Sequence, residues 1–169
     1  MFEAFYPSAR CHSAYDIPYE DFYKKGYRGI IFDIDNTLVK HGAPATPEVV
    51  DFFKMLHDMG FKTCLISNNK APRVAPFAEA VESDFMPKAN KPSGKGYIAA
   101  IQMMGLTKDE TIFVGDQIFT DIWGANRAGI ASVLTDPIDP HEEIQIVLKR
   151  ILEKPILFLY MRRSTAHIL

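Results

Sequence analysis

Ile30-Ile31-Phe32-Asp33-Ile34-Asp35-Asn36-Thr37-Leu38 is an apolar run ending in two carboxylates one residue apart, with a hydroxyl two positions further on. Such a run reads as a buried strand. Asp-x-Asp-x-Thr then places acids at its carboxyl end, where open α/β sheets keep their chemistry. Two acids this close repel one another, so a countercharge is expected beside them, most simply Mg²⁺ with oxygen ligands. The competing reading is a strand stopped by turn-forming Asp and Asn.

Further along, Thr111-Ile112-Phe113-Val114-Gly115 leads to Asp116, and Asp121 follows five positions later. Between the two acidic sites, Lys62-Thr63-Cys64-Leu65-Ile66 reads as a strand leading to Ser67-Asn68-Asn69, and Asn90-Lys91-Pro92-Ser93 precedes a helical pattern. An acidic pair, a hydroxyl with amides, a lysine and a second acidic pair thus appear in order, mostly just after strands.

In these motifs the chain resembles the haloacid dehalogenase-like (HAD) phosphatases: Asp33-Ile34-Asp35-Asn36-Thr37, Ser67, Lys91, and Gly115-Asp116 through Asp121. The match spans about residues 28–135. The Asp35-Asn36-Thr37-Leu38-Val39 continuation, Ser67-Asn68-Asn69 and the compact spacing are similar to the YqeG branch, akin to the phosphatidylglycerophosphate phosphatases of mitochondria and plastids, in the capless subfamily III.

Strands alternate with helices, which implies a doubly wound, Rossmann-like three-layer α/β sandwich with a mainly parallel sheet and no cap domain. Five strands are expected, at residues 28–33, 62–67, 84–86, 111–115 and 131–134. Helices are expected over 47–59, with Thr46 as N-cap and Gly60 as stop, and over 72–82, 94–104 and 120–128. The whole, 1–169, reads as one domain: a catalytic core at 27–135, an N-terminal extension at 1–26 rich in Tyr, Phe and Pro that packs on the core, and a C-terminal helix and tail at 140–169.

A chain of 169 residues fits one typical domain. Its net charge of −2 argues against a nucleic-acid partner recruited by an overall basic field. Two cysteines, Cys11 and Cys64, form no disulfide framework or zinc spacing, so a reducing cytoplasm is the default compartment. No signal peptide and no apolar run of about 20 residues is apparent.

The resemblance implies roles. Asp33 is the nucleophile that forms an aspartyl-phosphate, and Asp35 is the general acid/base. Mg²⁺ is held by Asp33, the backbone carbonyl of Asp35, and Asp116; Asp121 holds a metal-bound water or orients Lys91. Ser67 and neighbouring N–H groups bind phosphate oxygens, and Lys91 neutralises the transferring phosphoryl group. Thr37 and Asn68 are candidate phosphate-binding or positioning residues, while Asn69 reads better as a turn residue. Asp121 could instead be a first-turn helix acid. Lys88 and Lys95 compete with Lys91 as solvated charges. His41 and His57 show no partner spacing, and surface or core filling is the better reading.

Only about thirty residues separate Asp35 from Ser67, and fewer separate Ser67 from Lys91, room for strand–helix units but not for an inserted cap. An open site suits a bulky substrate such as a lipid headgroup at a membrane surface; a capless protein can also cover its site as a homo-oligomer. Residues 142–152 have helical periodicity. Pro155 is expected to break the chain before Ile156-Leu157-Phe158-Leu159-Tyr160-Met161, with Lys149, Arg150, Lys154, Arg162 and Arg163 around it. That tail either packs on the domain, even as an edge strand, or rests peripherally on an anionic membrane. The expected activity is Mg²⁺-dependent phosphomonoester hydrolysis, with phosphatidylglycerophosphate as the leading substrate implied by resemblance. The alternatives are a soluble ester (sugar phosphate, nucleotide or phosphoprotein) and a non-catalytic binding module.

Overall fold

The computed structural model describes residues 2–139 and 144–163. Six strands form one parallel sheet: β1 (Ala9–Cys11), β2 (Gly29–Phe32), β3 (Lys62–Ile66), β4 (Asp84–Met86), β5 (Thr111–Gly115) and β6 (Ala131–Thr135), in spatial order β1-β6-β5-β2-β3-β4. The central strands are mostly apolar on both faces, as suits strands covered on both sides. Ile30, Phe32, Leu65, Ile112 and Val114 point to one face, where they meet α1 (Tyr19–Lys24), α2 (Pro47–Asp58) and α3 (Ala71–Ala80). Ile31, Cys64, Ile66 and Phe113 alternate to the other face, under α4 (Gly94–Met104) and α5 (Trp123–Ala128).

Thr46 caps α2 through its side chain, with Pro47 in the first turn, and Gly105 ends α4 in a left-handed conformation. In the N-terminal segment Tyr19 packs against the core, 5.6 Å from Phe52 and 6.5 Å from Phe32, ring to ring. Both cysteines are free and buried, and burial pushes the Cys64 thiol up to about 12, so it is an inert core side chain.

Three features differ from the sequence reading. The sheet has six strands rather than five, because Ala9-Arg10-Cys11 pairs with β6 from Ala9↔Val133 to Cys11↔Thr135. Three residues with a charge in the middle carry no strand signal; the open edge of β6 supplies the order. Next, the helix expected over 120–128 is divided into a π-helical turn, Ile118–Ile122, and α5. Finally, the C-terminal helix α6 (Ile144–Arg163) runs straight through Pro155. Proline removes one N–H and frees the carbonyl one turn earlier; residues 151 and 155 are both exposed, so that group is open to solvent. The expected start of this helix, at Glu142, lies outside the described residues. Ile156 of α6 packs with Ile118, Ile122 and Leu134, so the segment covers the domain as a helix and not as an edge strand.

From β2 the chain steps to β3 and β4 on one side, then returns to β5 and β6 on the other. The strand order therefore reverses between β2 and β5, and the crevice above their carboxyl ends is where such sheets bind ligands.

Candidate active site

Asp33 extends β2 by one ladder bond, its N–H donating to the Val114 carbonyl at 3.0 Å. The next turn is sharp: Ile34 is buried, and Asn36 takes a left-handed φ of 63° with its N–H on the Val39 carbonyl. Asn tolerates that conformation better than most residues. Asp116 follows β5 directly. Gly115 is required there because a Cβ would come within 2.7 Å of Asp121 Oδ2. That oxygen accepts N–H bonds from Asp116 (3.2 Å) and Gln117 (3.0 Å), which pins the turn. Tyr97 supports the same turn from below, its hydroxyl donating to the Asp121 carbonyl at 3.0 Å.

Lys91 arrives from the loop before α4. Its Nζ lies 2.5 Å from Asp33 Oδ1 and 2.7 Å from Asp121 Oδ1. Asn68 holds the Lys91 backbone in both directions, accepting its N–H at 2.7 Å and donating to its carbonyl at 3.2 Å. Lys88 and Lys95 are exposed and take no part. Thr37 donates to Asp116 Oδ1 at 3.1 Å. The side chains of Thr37 and Asn68, read from sequence as phosphate-binding or positioning groups, are thus directed at Asp116 and at the Lys91 backbone. Ser67 lines the recess with its Oγ accepting the Asn69 N–H at 3.1 Å.

The floor is dominated by like charge out of water. Carboxylate oxygens of Asp33, Asp116 and Asp121 all lie within 4.8 Å of one another, and all three residues are buried. Burial pushes the Asp33 carboxyl well above its usual range; Lys91 opposes the shift, while Asp121 and Asp116 add to it. Burial likewise raises Asp116, reinforced by Asp121 and opposed by Arg150 and Lys91, to about 7. For Lys91 desolvation works downward, but Asp121 and Asp33 outweigh it and hold the ammonium charged. Three acids against Lys91 and Arg150 leave a deficit of positive charge, and the donors are all hard oxygens. That set fits a divalent cation such as Mg²⁺.

Asp35 stands apart. Its carboxylate accepts the Gly42 N–H at 2.8 Å and Arg73 at 2.9 Å on Oδ1, and Asn69 Nδ2 at 2.8 Å on Oδ2. Its side chain does not join the buried cluster. Sequence reasoning missed Arg73 and set Asn69 aside as a turn residue; their four-residue spacing at the start of α3 was the available signal. It also missed the role of α6: Arg150 pairs with the Asp116 carboxylate, and Glu153 accepts the Ile118 N–H at 2.7 Å. No local pattern announces either contact. His41 lines the recess, whereas His57 bonds Thr63 at 2.9 Å far from the site.

The recess, about 190 Å³, is bounded by Asp33, Asp35, Ser67, Lys91 and Lys149 among others. A larger cleft of about 600 Å³ lies by the amino-terminal ends of β3 and β4, lined by His57, Lys62, Thr63 and Asp84. It holds none of the clustered acids, so the smaller recess is the candidate site.

Comparison with known proteins agrees with this geometry. The family model described as haloacid dehalogenase-like hydrolase matches residues 41–129. "Probable phosphatase YqeG" of Bacillus subtilis is 34% identical over 95% of this chain and 94% of its own length. "Phosphatidylglycerophosphate phosphatase 1, chloroplastic/mitochondrial" of Arabidopsis thaliana is 30% identical over 88% of this chain but only 46% of its own length. Among solved structures, NagD from E. coli K-12 superposes with a TM-score of 0.52 at 16% identity, covering 64% of this chain and 87% of NagD, a likeness of fold alone. By motif, topology and similarity, this chain belongs to the haloacid dehalogenase-like hydrolases and is a phosphatase of that family.

Proposed function

We propose that the enzyme hydrolyses phosphatidylglycerophosphate to phosphatidylglycerol, with Mg²⁺ as cofactor and an aspartyl-phosphate on Asp33. The observation that carries the substrate reading is the open, shallow site. Only α2 lies between Asp35 and β3, and only α3 and β4 lie between Ser67 and Lys91. A recess of about 190 Å³ is smaller than the roughly 300–1,000 Å³ that encloses a whole small molecule. It accepts a phosphoryl group and leaves the rest of a bulky ester outside. The Arabidopsis relative supports the same reading. Such a substrate places the enzyme at the cytoplasmic side of a membrane surface.

With Asp33 Oδ1 held by Lys91, Oδ2 attacks phosphorus, and the bond to the leaving alkoxide breaks as Asp35 donates its proton to that oxygen. Asp35 then takes a proton from the water that attacks the aspartyl-phosphate, which frees Asp33 and phosphate. Ser67 and the N–H groups of its loop hold the phosphoryl oxygens, and Lys91 offsets their charge. Asp33, Asp116 and the Asp35 main-chain carbonyl would hold Mg²⁺, with Asp121 behind them on Lys91; bound there, the ion supplies Lewis-acid stabilisation of the phosphoryl group. Thr37 and Asn68 act as positioning residues, through Asp116 and Lys91.

The test is phosphate release from phosphatidylglycerophosphate in mixed micelles with Mg²⁺, beside glycerol phosphates and an aryl phosphate, with Asp33→Asn protein as the blank. A strong preference for the lipid supports the reading; turnover of soluble esters alone removes it. That second reading has one observation in its favour. "Glyceraldehyde 3-phosphate phosphatase" of Methanopyrus kandleri is 32% identical over 52% of this chain.

A further inference from the structure

We propose that the outward face of α6 is a docking surface for an anionic lipid bilayer, set beside the mouth of the active site. The inference deepens the lipid reading, yet its test is independent of which ester is cleaved.

α6 has two faces of unlike character. Inward, Arg150, Glu153, Ile156 and Tyr160 recur at helical spacing and are spent on Asp116, the Ile118 N–H, the Ile118–Ile122–Leu134 cluster and the Tyr6 ring. Outward, Ile144, Leu148, Ile151, Leu152 and Phe158 are 76%, 59%, 54%, 62% and 56% exposed. At 3.6 residues per turn these five fall within an arc of about 120°. Eight of the thirteen exposed large hydrophobics among the described residues lie on this one helix. Single exposed apolar residues are ordinary, whereas a contiguous patch of this kind marks an interaction surface.

Charge selects the occupant. α6 carries Lys149, Arg150, Lys154, Arg162 and Arg163 against one acid, Glu153, in a chain whose net charge is −2. Glu153 is buried, so the exposed charges of α6 (Lys149, Lys154 and Arg162) are all basic: Lys154 lies beside one edge of the apolar arc, Lys149 beyond the other, and Arg162 at its carboxyl end. An apolar arc between cations fits acyl chains below anionic headgroups. A second copy seated by a two-fold axis would set basic flank against basic flank. The 4-3 spaced seam a helix pair would use, Ile144-Leu148-Ile151-Pro155-Phe158-Arg162, holds a proline and an arginine. The helix is not apolar enough to cross a membrane, so it lies in the interface plane. Its first turns also border the catalytic recess through Ile146 and Lys149.

The test is flotation of the full chain with phosphatidylcholine vesicles, with and without phosphatidylglycerol. The wild type floats with the anionic vesicles. Leu152→Glu/Phe158→Glu weakens that binding by about tenfold or more, while its hydrolysis of a soluble aryl phosphate, which also reports folding, is unchanged. Lys154→Gln/Arg162→Gln, a second variant with the apolar arc intact, loses the preference for anionic over neutral vesicles. Wild type that never floats, or acidic variants that float equally well, overturns the proposal. So does a wild-type dimer in light scattering that the acidic variant converts to monomer, since a second copy then owns the face. Vesicle binding without cleavage of phosphatidylglycerophosphate keeps the docking surface and removes the substrate assignment alone.

Discussion

Asp33 lies on the floor of the site, buried against Lys91 and within reach of Asp116 and Asp121, whereas Asp35, two positions later, sits at the rim under Arg73, Asn69 and the Gly42 N–H. The turn through buried Ile34 separates them. Asp33 faces the loops after β4 and β5, and Asp35 faces the loop after β3 and the first turn of α3. The difference gives the two acids of one short motif unlike surroundings, which is the basis of the roles proposed for them. A carboxylate shut away from water needs fixed countercharge, which suits it to a cation and a phosphoryl group. On the proposed mechanism, the carboxylate at the rim is the one placed toward the leaving group and the attacking water, and so is the one that moves protons.

The sharpest way to break this contrast is to remove each acid in turn. Asp33→Asn should abolish phosphate release from every ester, a loss of at least about 10³-fold, because the attacking oxygen is gone. Asp35→Asn should slow an alkyl phosphate by about 10²–10⁴ and an aryl phosphate much less, because a good leaving group needs no proton. Equal losses on both esters would remove Asp35 from the acid role.

Next in size is Lys91→Met. Breaking a buried ion pair from one side typically costs about 3–5 kcal/mol, and here two carboxylates lose their cation together. Thermal denaturation should show that loss in chelator, with part of it recovered in Mg²⁺. The same cation separates floor from rim. Saturation at 100 times its dissociation constant should stabilise the protein by about 2.7 kcal/mol. Asp116→Asn should erase that shift, and Asp35→Asn should keep it because its side chain is outside the cluster.

The floor was far more legible in the sequence than the rim. Asp33, Ser67 and Asp116 follow strands whose apolar runs declare themselves, so their placement at one sheet edge follows from alternation and crossover alone. Lys91 was legible by resemblance. Arg73, Arg150 and Glu153 were not, since each meets a partner 34 to 38 residues away through packing that no local period encodes. β1 escaped for a related reason: three residues become a strand only because β6 offers an edge. Pro155 misled in the other direction: on the exposed face of α6 the carbonyl it frees is open to solvent, so the helix continues through it.

The last contrast concerns pH, and there two acids of the same kind should act with opposite sign. Burial, with Asp121, raises Asp116 to about 7 from an ordinary 3.8, against Arg150 and Lys91. Between those values the folded, metal-free protein binds more protons than the unfolded chain, so stability falls as pH climbs from about 4 to about 7. Asp33 is shifted the same way and adds to that slope. At Asp136 burial also pulls upward, but hydrogen bonds from Arg10 and His12 outweigh it, and the carboxyl ends below 3.8. Its contribution is present above 3.8 and disappears as pH falls through the lower folded value. Asp136 is more than a third exposed, so that contribution stays under about 1 kcal/mol. Thermal unfolding in chelator across both windows separates the two: Asp116→Asn should flatten the upper slope, and Asp136→Asn only the lower. Mg²⁺ should cancel the upper slope in the wild type, because the bound ion requires the carboxylates ionised. A slope that survives saturating Mg²⁺ would mean that the buried acids do not hold it.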